Sequence, residues 1–164
     1  MLQMTKIFIG LVFWNIVLFG VAICLGVTHH SNHWQHQATG VLTGIYTCLT
    51  HCIVMMHFMG SGKGIKEAVA GHNLPDDPQT GYVRRTRKFK ARTSGLATLC
   101  CLLIIGVVWL GGAKDVGLLK GKTHAWIAYA VVAINLYTFW VEYKVIAENT
   151  AMIREINTKI AGKA

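Results

Sequence analysis

Four apolar runs divide the chain, at residues 7–28, 38–59, 94–113 and 125–143. Each reaches the roughly 20 residues that a helix needs to cross a bilayer's hydrocarbon. The second is the least apolar, carrying several threonines and two histidines. The pattern predicts an all-α fold: a four-helix transmembrane bundle forming one integral membrane domain over residues 1–164. The first run exceeds the hydrophobic stretch of a secretory signal, holds Asn15 at its middle and is followed by no small-x-small cleavage site, so it is expected to stay as a helix.

The helical pattern continues beyond the runs. Residues 63–70 place Ile65 and Val69 on one side, and residues 83–92 form a basic helix leading into the third run. Val145, Met152, Ile153, Ile156 and Ile160 recur at helical spacing after the fourth. The segment 60–93 and the tail 144–164 therefore predict helical extensions on one side of the membrane. Both prolines, Pro75 and Pro78, lie in the turn region 71–80. No run is interrupted by proline, unlike the broken helices from which many transporters build their sites. Trp34, Trp109 and Trp126 fall near one boundary, and Trp140 and Tyr143 near the other, as interfacial aromatics do.

Composition agrees: 53% hydrophobic and 14% charged residues, against about 25% charged in an ordinary soluble domain. The net charge of +9 is distributed asymmetrically. Lys6, the eight cations Lys63, Lys66, Arg84, Arg85, Arg87, Lys88, Lys90 and Arg92, and the four tail cations Lys144, Arg154, Lys159 and Lys163 fall on one side. Only Lys114, Lys120 and Lys122 fall on the other. By the positive-inside rule this predicts a multi-pass protein of the cell inner (cytoplasmic) membrane with both termini cytoplasmic. The run from Arg84 to Arg92 lies against the membrane, which suits anionic headgroups and not nucleic acid. Expected partners are the lipid bilayer and other membrane subunits or further copies of the chain.

No phosphate-binding loop, nucleotide fingerprint, HExxH, nucleophile elbow or CxxC pair occurs, so the chain is not expected to be catalytic by itself. The candidate chemistry is polar groups inside the bilayer. At about 100° per residue, Thr39, Thr43, Tyr46, Thr50, His57 and Ser61 share one face of the second helix, and Cys48, Cys52, Met55 and Met59 the opposite one. His51 lies between them. On the fourth helix His124, Ala128, Val131, Asn135, Thr138 and Glu142 form one stripe. Depth alone pairs His51 with Asn135 and His57 with Glu142, and brings Asn15 in near mid-depth. Such groups act either as interhelical glue or as a proton relay or quinone pocket.

At the opposite boundary the segment THHSNHWQHQ holds His29, His30, His33 and His36, with His124 at similar depth. Imidazoles are the commonest metal ligands. Three readings stay open: a metal ion on His29, His30, His33 and His36; a haem b held by His30 or His29 with His124; and interfacial polar residues. The Cys/Met face and the vicinal Cys100–Cys101 add soft ligands suited to copper, or they fill gaps in packing. Cys24 reads as a small buried residue.

The architecture resembles the small four-helix membrane subunits of respiratory complexes, by analogy of form alone. The expected function is accordingly a small multi-pass subunit of a larger respiratory or redox membrane complex, holding a polar site at His51, His57, Asn135 and Glu142. It would carry a cofactor at the histidine-rich face. Alternatives are a copper or divalent-cation binding or transport protein, and a cofactor-free scaffold.

Overall fold

The computed structural model describes residues 2–28, 33–78, 81–115, 117–118 and 122–162. Among them it is all-helical: α1 (Leu2–Thr28), α2 (His33–Gly71), α3 (Tyr82–Asp115) and α4 (Thr123–Ala161). All four are long and apolar enough to cross a membrane. The chain is a multi-pass helical bundle in which each helix packs on its sequence neighbours, α4 closes the ring against α1, and α2 and α4 also meet across the centre. No contact joins α1 to α3 among the described residues, so these two occupy opposite corners.

The bundle holds polar groups among its buried apolar side chains and is apolar outside. Asn15, Thr43, Thr47, Thr50, His51, Asn135, Thr138 and Glu142 are buried, whereas Ile7, Phe13, Trp14, Leu102, Ile105 and Tyr137 are exposed. In water this arrangement would be costly. In hydrocarbon the outer face needs no cover, and every polar group must find its partner inside the protein. Helix association then rests on close packing and hydrogen bonds. Asn15 provides such bonds for α1: its Oδ1 accepts from Thr47 Oγ1 at 2.8 Å, and its Nδ2 donates to Thr50 Oγ1 at 2.8 Å and to Leu11 O at 3.0 Å.

The helices overrun the bilayer at one end, called here the basic end. The 39 residues of α2 and of α4 make each about 58 Å long at ~1.5 Å per residue, against ~30 Å of hydrocarbon. The overhanging parts of α2, α3 and α4 form a stalk around Ile65, Val69, Leu74, Phe89, Met152 and Ile156. The α2–α3 turn is fixed by local bonds. Asn73 takes the left-handed conformation (φ 46°) that asparagine tolerates. Its N–H donates to Ala70 O at 3.4 Å and that of Leu74 to Val69 O at 3.0 Å, the paired bonds that close a helix C-terminus. Leu74 then folds into the stalk core. Asp76 Oδ1 accepts from the Val83 N–H at 3.3 Å, satisfying one of the free donors at the start of α3.

At the stalk tip Tyr82 Oη donates to Glu155 Oε1 at 2.6 Å and accepts from Lys159 Nζ at 2.6 Å. Arg85 Nη1 reaches Glu155 Oε2 at 3.5 Å. The Tyr82 hydroxyl, then Lys159, hold the Glu155 carboxyl below the usual carboxylate range. The same hydroxyl and then Glu155 raise Lys159 above the usual lysine range. A lowered carboxylate contributes stability above its unfolded value, about 4.3, and loses it as pH falls through the folded one. A raised lysine contributes below its unfolded value, about 10.4, and loses it as pH rises through the folded one. Stalk stability is therefore expected to be flat between about pH 5 and 10 and to fall on both sides. Both side chains are half-exposed, so the effect is small. Amide exchange along residues 150–160 in wild type and Tyr82→Phe checks it: the acid-side dependence should shrink in Tyr82→Phe.

Candidate functional site

The buried centre is built where α2 and α4 meet. Asn135, Thr138, Phe139 and Glu142 recur along α4 every three or four residues, so one stripe of that helix faces inward along two turns. His51 projects from α2 into the middle of the stripe and is fully buried. Its Nδ1 lies 2.9 Å from Glu142 Oε1 and its Nε2 lies 3.1 Å from Asn135 Oδ1. The ring stacks on Phe139, with centroids 5.1 Å apart and planes 24° from parallel. Next to it Cys100 Sγ of α3 lies 3.1 Å from Thr138 Oγ1, which donates to Ile134 O. Helices α2, α3 and α4 all contribute to this centre.

The bonding pattern locates a proton. Asn135 Nδ2 donates to Val131 O at 2.8 Å, which leaves Oδ1 as the atom facing His51. The Nε2 of His51 must therefore donate. On the other side one proton must lie between Nδ1 and Oε1. It belongs either to an imidazolium facing a carboxylate or to a carboxylic acid facing a neutral imidazole. Both forms carry no net charge, which is what a low-dielectric interior tolerates. The second oxygen, Glu142 Oε2, is buried with no hydrogen-bond partner among the described residues. The pair can thus hold a proton, move it between ring and carboxyl, and present one unused acceptor.

Of the two pairings by depth, His51 with Asn135 is present and His57 with Glu142 is corrected. Glu142 meets His51, which bridges it to Asn135, and His57 lies lower, 3.5 Å from Asn149 Nδ2. Asn149 also donates to Ser61 Oγ at 3.3 Å. Taking Tyr143 as the end of the fourth run misplaces the comparison. The lipid-facing side of α4 does end there, with Lys144 Nζ 3.7 Å over the Trp140 ring. Its inner side continues through Val145, Ile146 and Asn149, all buried. Asn149 is a member of the polar interior that the sequence reading missed, although it continues the 135–142 stripe by two further turns. Thr47 was likewise absent from the expected face, yet it bonds Asn15.

At the other end His29 and His30 lie outside the described residues, and with them the four-histidine metal site and the His30–His124 haem pair. His33 opens α2. His36 Nδ1 lies 3.1 Å from Ala22 O of α1, and its ring meets that of His124 edge-on, with centroids 6.3 Å apart. Each ring lies against a glycine: a Cβ on Gly26 would stand 2.9 Å from His36 Cε1, and one on Gly111 3.2 Å from His124 Cε1. Among the described residues no three His, Cys, Asp or Glu side chains group as metal ligands. The Cys/Met face of α2 runs along its seam with α3 and onto the lipid-facing surface: Cys52 and Met59 are exposed, and Cys48 Sγ lies 4.0 Å from Cys101 O. Cys24 is exposed, not buried as read from the sequence. The chain matches no family model, no curated protein and no solved structure.

Proposed function

We propose that the chain is a small membrane subunit of a larger, respiratory or redox membrane complex, in which His51 and Glu142 hold and pass a proton within the bilayer. The observation that carries this reading is the arrangement of His51, with both ring nitrogens facing side-chain oxygens and Glu142 keeping an oxygen unpartnered among the described residues. Two ionisable side chains inside a span are a costly way to join helices, and such groups ordinarily mark ion or proton pathways. A lipid-soluble redox partner such as a quinone would approach through the groove between α1 and α4. That groove has a volume of about 260 Å³ and is lined by Phe8, Val12, Leu136, Phe139, Trp140 and Tyr143. Its Phe139 wall is the ring that stacks on His51. The basic end faces the cytoplasm in this reading, because most of the lysines and arginines lie there.

Gentle extraction of the native protein with its companions, followed by Glu142→Gln in the same assembly, tests the proposal. The amide keeps shape and an acceptor but cannot bind the proton. Turnover is expected to fall by about 10²-fold or more, with subunit composition unchanged. A chain that purifies alone without redox partners, or unchanged turnover in Glu142→Gln, would overturn it.

A second reading, metal binding at the histidine end, has one observation behind it: His36 and His124 bring imidazoles from two helices together. Metal analysis of purified wild type against His36→Ala/His124→Ala decides it. Stoichiometric metal lost in the double variant supports the site, and metal-free wild type rejects it.

A further inference from the structure

Where α2 and α3 leave the bilayer at the basic end, a surface groove of about 310 Å³ opens between them. It is lined by Cys52, Met55, Met56, Phe58 and Met59 of α2 and by Lys90, Thr93 and Ser94 of α3. Its two ends differ in chemistry. The methionines and Phe58 form an apolar floor, and Met56 and Met59 are more than half exposed. Unbranched thioethers adapt to irregular flexible occupants better than branched side chains do. At the stalk end stands Lys90, exposed, one turn before Ser94, where the apolar run of α3 begins.

Among the described residues the charge of Lys90 is uncompensated. The carboxylates of α4 that face α3 are already engaged, Glu148 by Arg92 and Glu155 by Arg85, Tyr82 and Lys159. Among the described residues neither Lys90 nor Arg87 has a carboxylate within ion-pair reach. Arg87, Lys90 and Ser94 fall at i, i+3 and i+7, on one face of α3. That face therefore presents two cations and a hydroxyl directly above an apolar groove, at headgroup depth.

We propose that this groove binds one anionic phospholipid. An acyl chain lies along Met55, Met56, Phe58 and Met59, and the headgroup phosphate lies against Lys90 with Arg87 beside it. This assigns a defined lipid to the α2–α3 seam, in addition to the diffuse attraction of a basic surface for an anionic leaflet. It is independent of the His51–Glu142 proposal, since the groove lining shares no residue with that centre.

Native mass spectrometry of the full chain, released from nanodiscs containing equal phosphatidylglycerol and phosphatidylcholine, tests it. Wild type is expected to retain one phosphatidylglycerol in preference to phosphatidylcholine. Lys90→Gln should lower that occupancy by about fivefold, the loss expected for one cation at a membrane surface. Lys90→Glu should lower it further. Met56→Trp, which fills the groove and leaves the charges, should lower it as well. Arg84→Gln removes another exposed cation, about 120° around α3 from Lys90, and should leave it unchanged. Equal losses in Arg84→Gln and Lys90→Gln would mean diffuse electrostatics and overturn the site. Equal retention of the two lipids, or retention of neither, would overturn it too.

Discussion

His51→Leu is expected to destabilise the bundle by about 3–5 kcal/mol, the cost of removing one partner from a buried, hydrogen-bonded pair of ionisable groups. Glu142 would then keep two buried oxygens without a donor. Glu142→Leu is expected to cost less, about 1–3 kcal/mol. The imidazole can release the shared proton and keep its bond to Asn135 Oδ1. Combining the two leaves an apolar pair and one amide oxygen short of a donor, so the double variant should be more stable than His51→Leu alone. The sign of that interaction is the test, because it separates a coupled pair from two independently placed polar residues. Thermal unfolding of the four proteins in one detergent, followed by helicity, gives the cycle. Simple additivity would show that the ring and the carboxyl do not share a proton. His57→Leu is the control: its contact with Asn149 is longer, 3.5 Å, and such interhelical bonds average about 0.6 kcal/mol.

Gly62→Ala should cost about 1–3 kcal/mol, as overpacking of a closed contact does. The added Cβ would stand 2.9 Å from Thr86 Cγ2, at the point where the α2 and α3 parts of the stalk come together. Thr86 cannot turn away freely, since it is buried and its hydroxyl donates to Tyr82 O at 2.9 Å. Thr86→Ser removes the methyl and keeps the hydroxyl, so Gly62→Ala/Thr86→Ser should recover most of the loss. Gly60 and Gly64 flank the contact and have nothing within 4 Å of an added Cβ. Alanine at either should be neutral or raise stability by up to about 1 kcal/mol through helix propensity. The same thermal measurements distinguish the cases. A Gly62→Ala protein as stable as Gly60→Ala would show that the helices do not approach so closely at Thr86.

The four spans, the helical overhangs beyond them and the polar content of the interior follow from the sequence by itself. Run length against bilayer thickness allows one structure for each apolar segment, because backbone groups in hydrocarbon must bond within their own helix. Periodicity beyond the runs, in Ile65, Val69, Met152 and Ile156, likewise marks the stalk. The partners inside the bundle required the tertiary structure. Helical angle places His51 and His57 about 120° apart but does not say which of them faces α4. Depth counted from the ends of apolar runs fails where a helix leaves the lipid on one side while staying buried on the other, as α4 does between Trp140 and Asn149. The proton-holding contact depends on the relative rotation and vertical offset of α2 and α4, and these are set by packing at every other contact in the bundle. The meeting of His36 with His124 has the same origin: two imidazoles almost ninety residues apart come together because Gly26 and Gly111 leave room for their rings.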